Sequence, residues 1–270
     1  MDKFKIIFKK YKHFDITNDH DNEVIDFHHP EKFHDKIVEV PYKLSNFNLD
    51  IKNDLIDINQ WRVFTLKNFI PGLYVIPSIL TKEASQRWFD YLLNQVPISF
   101  ENQFKANISL PPQQPIKQSN LRWITFGYHH NWDTKVYEND MVSPIPELIN
   151  QFAQFVSLTL GFTDFKTEAG IINYYNCKSN LCPHSDHSEP NKTAPLFSLS
   201  LGCSAIFIIG GETRESDLPI YPLLLNDCDL LIMSDQSRQA IHGVPKIICD
   251  NKTNCKEIKR INVNIRQVNW

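Results

Sequence analysis

Beyond Gly170 the hydrophobic residues come in short runs that alternate with polar ones. The runs span 171–175, 196–201, 204–209, 223–225, 229–233 and 261–268, with Asn, Gly, Pro and Asp between them. Successive side chains of a strand point to opposite faces, so each run predicts a short β-strand, and Phe197-Ser-Leu-Ser-Leu201 alternates most cleanly. Short strands at even spacing predict a jelly roll or barrel. In the first half the apolar period lengthens. Thr81 reads as a helix N-cap ahead of a stripe of Ala84, Trp88, Phe89, Leu92 and Leu93 that stops before Pro97. A second helix starts at Pro146, carries Leu148, Ile149, Phe152, Phe155 and Val156 on one face, and ends at Gly161.

The other segments are less regular. Residues 61–76 read as short strands with a turn at Pro71-Gly72, and 121–128 as an aromatic strand. The Pro- and Gln-rich stretch 107–120 reads as a mobile loop. Residues 15–57, rich in Asp, Asn and His, suggest an irregular wrapping extension. Ahead of them, Phe4, Ile7, Phe8 and Tyr11 follow helical spacing among Lys3, Lys5, Lys9, Lys10 and Lys12. This basic amphipathic segment has three readings: a helix docked on the body with a solvated lysine face, an arm that contacts phosphates, or a targeting segment. With no repeat and no clear linker, the fold class expected is mainly β with flanking helices (α+β). An N-terminal extension over 1–60 precedes one domain over 61–270.

Composition narrows the partners. Of the 270 residues, 42% are apolar and 12% aromatic, enough for a large core. A net charge of -3 provides no global basic field, so binding to nucleic acid would rest on local patches. The six cysteines all lie beyond residue 170 and none forms C-x-x-C, which argues against a zinc ribbon or a disulfide framework and for reduced thiols in an intracellular compartment. No apolar run of membrane-spanning length occurs, and the start lacks a secretory leader pattern.

The chemistry centres on His184-Ser-Asp186. Residues two apart in a strand share a face, so this imidazole and carboxylate can bind one ion, with His242 as a third ligand. Two imidazoles and one carboxylate leave open positions for a chelating cosubstrate and O2, as non-haem Fe(II) oxygenases require. Chance alone also yields such a trio in a chain with 10 histidines. The closing stretch adds weight: Ile261, Val263 and Ile265 alternate with Arg260, Asn262, Asn264 and Arg266. At roughly 3.3 Å per residue the two arginines stand about 20 Å apart, and their inward reach leaves a gap that suits a five-carbon diacid. Arginine pairs a carboxylate bidentately and keeps its charge. The plain alternative is a solvated edge strand.

Several pieces in order resemble the AlkB family of Fe(II)- and 2-oxoglutarate-dependent dioxygenases, nearest its animal branch. They are Phe64-Thr-Leu-Lys-Asn-Phe-Ile-Pro-Gly-Leu-Tyr-Val-Ile-Pro77, Leu121-Arg-Trp-Ile-Thr-Phe-Gly-Tyr128 with His-His-Asn-Trp-Asp133, Glu168-Ala-Gly-Ile-Ile-Asn-Tyr-Tyr175, His184-Ser-Asp186, Ser200-Leu-Gly-Cys-Ser-Ala-Ile-Phe207, Met233-Ser-Asp-Gln-Ser-Arg238 and Arg260-x-Asn-x-x-x-Arg266. The resemblance implies a double-stranded β-helix over 168–270, with a substrate-recognition part over 61–135. It implies Fe(II) on His184, Asp186 and His242, O2, and 2-oxoglutarate bound by Asn173, Tyr175, Arg260, Asn262, Asn264 and Arg266. Asn264 stands where the family usually has Thr. Asp186 and Arg266 would serve the chemistry directly. Trp123 and Tyr128 would present aromatics to a flipped base. Arg238 would contact substrate phosphate, the metal-site carboxylates or a salt-bridge partner. The implied activity is oxidative demethylation of bases in tRNA or DNA, with no membrane and no obligate protein partner. A protein or small-molecule substrate, or a non-catalytic metal-binding barrel, stay as alternatives.

Overall fold

The computed structural model describes residues 2–42, 50–99, 105–108, 121–249 and 256–270. Its centre is eight strands in chain order: β8 (Ala169–Tyr175), β9 (Leu181–His184), β10 (Leu196–Gly202), β11 (Ala205–Ile209), β12 (Tyr221–Leu225), β13 (Leu230–Met233), β14 (His242–Ile247) and β15 (Arg260–Arg266). The first pairs with the last, the second with the second-last, and so inward to β11 with β12, all antiparallel. That nesting is the jelly roll expected from the run spacing. One sheet holds β13-β10-β15-β8 and the other β12-β11-β14-β9.

Earlier segments extend both sheets. Strands β1 (Ile25–Asp26), β2 (Ile37–Glu39), β3 (Phe64–Leu66) and β4 (Leu73–Ile76) come first. β1 joins β12 in parallel, while β4, β3 and β2 continue outward from β13. The wrapping extension is therefore stitched into the sheets by backbone pairing. On the other side β8 pairs with β6 (Leu121–Asn131), which also pairs with β5 (Lys105–Ile108) and β7 (Val136–Ser143). Most of the expected 107–120 loop, from 109 onward, lies outside the described residues.

Three apolar layers follow. Between the sheets lie Phe27, Phe64, Leu73, Leu196, Phe207, Leu223, Leu231 and Val244. Under the larger sheet, Ile261, Val263 and Ile265 of β15 pack with Trp88 and Phe152 from α2 (Lys82–Asp90) and α4 (Glu147–Thr159). On the smaller sheet's outer face, Phe4 and Tyr11 of α1 (Lys3–Lys12) cover Ile206 and Ile208. α1 is thus a docked helix with Lys5, Lys9 and Lys12 exposed. Because the apolar side of β15 faces the helices, its polar side is turned into the barrel. β15 is a central strand flanked by β10 and β8, so the solvated-edge reading is excluded.

The stripe on α2 also runs further than expected. Thr81 caps it through Ala84 N, but the chain passes Pro97 into α3 (Val96–Ser99) by way of a widened turn over Tyr91–Gln95, closed by Val96 N–H to Tyr91 O. A proline cannot supply the next helical N–H and crowds the carbonyl four residues back, and a wider turn relieves both. At Gly72, φ is +95° and a Cβ would come 2.0 Å from Ser234 O, so the β3–β4 turn closes only with glycine.

Candidate metal centre and the two pockets it divides

His184 closes β9 opposite His242, which opens β14. Both strands are irregular here: the β9–β14 register shifts between His242 and Val244, and β11–β14 shifts between Ile206 and Ile208. Pro183 and Pro245 fall in these stretches, where a missing ladder N–H is tolerated. Gly243 lets the strands approach, since a Cβ there would sit 2.9 Å from Leu181 O. The outcome is a pair of imidazoles with ring centroids 4.6 Å apart.

Asp186 is not in the strand, as the sequence suggested; β9 ends at His184 and the carboxylate comes from the loop that follows. Arginines, not ladder pairing, fix it. Arg266 Nη2 donates to Asp186 Oδ2 at 2.9 Å, and Arg238 Nη1 donates to the Asp186 carbonyl at 3.0 Å. The carboxylate lies 3.7 Å from His184 Nε2 and 4.0 Å from His242 Nε2. One ligand atom from each of the three residues falls within 4.8 Å of the others.

Electrostatics prepares the trio for a cation. Burial works to raise the Asp186 pKa, but the charge of Arg266, helped by both histidines and Arg238, holds the carboxyl far below its usual range. Burial, reinforced by His184, pushes His242 down to about 4, so its ring is neutral at physiological pH. His184 Nδ1 lies 2.9 Å from Cys182 O and His242 Nδ1 2.9 Å from Ala240 O. Donating Nδ1–H to a carbonyl leaves each Nε2 lone pair free, the usual arrangement for metal-binding histidines. This donor set fits Fe(II).

On one side lies a pocket between the sheets, lined by Tyr175, Ser198, Arg260, Asn262 and Asn264 with an apolar wall including Leu196, Phe207 and Leu231. Arg260 is buried at its end and donates to Ser200 Oγ at 2.7 Å, Cys203 O at 2.9 Å and Leu225 O at 3.3 Å. All three acceptors are neutral and its Nε has no partner. Among the described residues no carboxylate comes within ion-pair distance, which is a reason to expect an anionic ligand. Asn262 Nδ2 is held by Ser198 Oγ at 2.9 Å and Leu199 O at 3.1 Å.

On the other side opens a cleft of about 730 Å³, lined by Trp123, Tyr128, His130, Trp132, Lys135 and Tyr137 together with Asn173. His184, Asp186 and Asn264 line both spaces. β15 thus leads from Arg260 in the pocket, past Asn264, to Arg266 in the cleft. Trp123, level with Asn173 across the β6–β8 pair, has Trp132 5.7 Å away. Tyr128 is half-buried against Tyr137, Ala169 and Val268.

Of the three contacts expected for Arg238, substrate phosphate, the metal-site carboxylates or a salt-bridge partner, the structure shows the salt bridge, and the side chain does not line the cleft. It is 1% exposed and its guanidinium is spent on the Asp186 carbonyl and on Glu189, 3.0 Å away. Glu189, Tyr137, His130 and Trp132 were missed in the sequence, where an acid three residues after Asp186 looks like any surface acid. The cysteine expectation is corrected too. Cys177 and Cys249 form a disulfide with Cα atoms 5.8 Å apart, although 72 residues separate them in sequence; the exits of β8 and β14 bring them together. Cys182 is a free, exposed thiol.

Comparison with known proteins agrees with this geometry. The model of the 2OG-Fe(II) oxygenase superfamily matches residues 72–266. The human protein named nucleic acid dioxygenase ALKBH1 is 43% identical over 214 residues, covering 71% of this chain and 54% of that protein. The tRNA demethylase abh1 of Schizosaccharomyces pombe is 38% identical over 161 residues, 55% of this chain and 53% of that protein. The chain spans about half the length of these curated relatives. The solved structure of OsALKBH1 superposes with a TM-score of 0.52 at 19% identity, covering 75% of this chain and 100% of the other, so the two share a fold. With its barrel, its clustered His184, Asp186 and His242 and a family match over most of its length, the chain belongs to the 2OG-Fe(II) oxygenase superfamily, as an AlkB-type member similar to ALKBH1.

Proposed function

We propose that this chain is an Fe(II)- and 2-oxoglutarate-dependent dioxygenase that oxidatively demethylates bases in nucleic acid. Its substrates are 1-methyladenine in tRNA, or 1-methyladenine, 3-methylcytosine or N6-methyladenine in DNA, and its products are formaldehyde, succinate and CO2. One observation carries the reading: His184, Asp186 and His242 stand on the border between a pocket ending in an arginine that has no carboxylate within ion-pair distance among the described residues and a wide cleft walled by aromatics. Curated relatives carry names that span these substrates, from tRNA demethylase to a DNA N(6)-methyladenine demethylase and an RNA demethylase.

His184, Asp186 and His242 hold the Fe(II), which when bound couples oxidation of 2-oxoglutarate by O2 to hydroxylation of the methyl group. Arg260 takes the distal carboxylate of 2-oxoglutarate, a charge-assisted pair in a space shielded from water. Tyr175, Asn262 and Asn264 orient the rest of the cosubstrate from the pocket, Asn173 reaches its metal end from the cleft side, and Arg266 keeps Asp186 turned toward the ion. Trp123 and Tyr128 offer aromatic surface to a base that has left its stack. A nucleic-acid substrate puts the enzyme inside the cell, in the nucleus, cytoplasm or mitochondrion. No helix among the described residues is long and apolar enough to cross a membrane.

The test supplies Fe(II) and 2-oxoglutarate to the purified protein with tRNA carrying 1-methyladenine, and with single-stranded and duplex DNA carrying each modified base. Formaldehyde and succinate should appear in equal amounts with at least one of them. Succinate formation that no nucleic acid stimulates would overturn the reading.

A further inference from the structure

Three residues beyond Asp186 in the same loop, Glu189 is 2% exposed, an unusual place for a carboxylate that is not a metal ligand. Its contacts explain the burial. Tyr137 Oη donates to Glu189 Oε1 at 2.6 Å, Arg266 Nη1 donates to the same oxygen at 3.3 Å, and Arg238 Nη2 lies 3.0 Å from Oε2. Those two arginines are the ones that hold Asp186, Arg266 by its carboxylate and Arg238 by its backbone carbonyl. Each guanidinium therefore bridges Glu189 to Asp186. Two cations face two carboxylates, Arg238 and Glu189 buried and Arg266 and Asp186 half-buried, so the set is neutral before any metal enters.

We propose that Glu189 is a positioning residue for the metal centre: by tethering Arg266 and Arg238 it fixes where Asp186 stands and keeps one edge of the Arg266 fork away from the Asp186 carboxylate. This rests on His184, Asp186 and His242 being the metal ligands. Without the Glu189 charge, Arg266 is free to turn both of its donors onto Asp186, the bidentate geometry that guanidinium and carboxylate favour. It then competes with the metal for the same oxygen lone pairs. The two arginines would also leave uncompensated positive charge beside a divalent cation. Both effects weaken metal binding, and neither requires Glu189 to touch metal, cosubstrate or base. Tyr137 belongs to β7, so the same carboxylate ties a wall of the cleft to the metal loop.

The experiment measures Mn(II) affinity by titration calorimetry, without cosubstrate or nucleic acid, on the full chain. Glu189→Gln should bind about 10- to 100-fold more weakly than wild type, and Glu189→Asp should fall between them. Thermal melting of each protein in chelator separates this from general damage. A residue that only supports the fold lowers the metal-free melting temperature and leaves the Mn(II) affinity of folded protein unchanged, and that result overturns the proposal. If Glu189→Gln does not fold, the double variant Glu189→Gln with Arg238→Gln removes one charge of each sign; it should still bind Mn(II) more weakly, and wild-type affinity in it is equally fatal. Asp186→Ala shows which idea has failed. Wild-type affinity in that variant sinks the ligand assignment itself. Lost binding in Asp186→Ala beside unchanged binding in Glu189→Gln sinks only the role of Glu189.

Discussion

Two arginines on one strand have different environments, and their substitutions should separate. Among the described residues Arg260 donates to neutral oxygens in a buried pocket, so it has no carboxylate in direct contact until a diacid arrives. Arg260→Ala should raise the KM for 2-oxoglutarate by roughly 10- to 150-fold, the loss of one charge-assisted hydrogen-bonding site worth about 1.5–3 kcal/mol. Steady-state rates against 2-oxoglutarate concentration read this directly, with metal affinity unchanged. Asp186→Ala has the opposite profile: it should abolish metal binding and turnover together, whatever the cosubstrate concentration. The sequence made these residues legible because strict alternation over 260–266 put both arginines and both asparagines on one face. It gave no sign of Glu189, and for Arg238 it left the salt bridge as one of three readings. Their importance comes from loops meeting across the barrel, which leaves no period in the chain.

The strands that carry His184 and His242 were among those the pattern missed. β9 reads Leu-Cys-Pro-His and β14 reads His-Gly-Val-Pro-Lys-Ile; proline and glycine interrupt the kind of short apolar run that revealed β10, β11 and β13. The same residues create the irregular register that brings His184 and His242 together, so the element was hidden by the feature that makes it useful. The N-terminal extension was hidden for another reason: its strands are two and three residues long. One side chain that anchors it is His28, whose Nε2 lies 2.7 Å from the fully buried Asp229 at the start of β13. The hydrogen bond to Asp229 raises the His28 pKa above its ordinary value against the effect of burial. A raised folded-state pKa stabilises the fold fully below the unfolded value, and that contribution is lost as pH climbs through the raised one. Melting temperatures of wild type and His28→Gln should therefore differ most near pH 6 and converge at alkaline pH. A gap that widens toward alkaline pH would contradict the assignment.

At the scale of the whole molecule, the proposed function asks charge and aromatic surface to hold nucleic acid, and they are unevenly supplied. The chain carries a net charge of -3, and the exposed Lys5, Lys9 and Lys12 of α1 do not line the cleft. Among the described residues that line the cleft, Arg266 is committed to Asp186 and Glu189, which leaves Lys135, poised over Trp132, as the lysine available for a phosphate. Few phosphates are then neutralised, and each adds only about -0.7 to the slope of log affinity against log salt for a single strand. Binding of a methylated single-stranded oligonucleotide should show a shallow slope, on the order of one to three contacts by that measure. Lys135→Gln should make it shallower by about 0.7. Trp123→Ala should instead weaken binding by roughly 5- to 150-fold at every salt concentration, because lost stacking of about 1 to 3 kcal/mol carries no counterions. Fluorescence anisotropy titrations of the three proteins across a salt series distinguish the two effects: parallel lines displaced downward for Trp123→Ala, and a line of lower slope for Lys135→Gln. A steep wild-type slope would place the main contact on another face, with α1 the first surface to substitute.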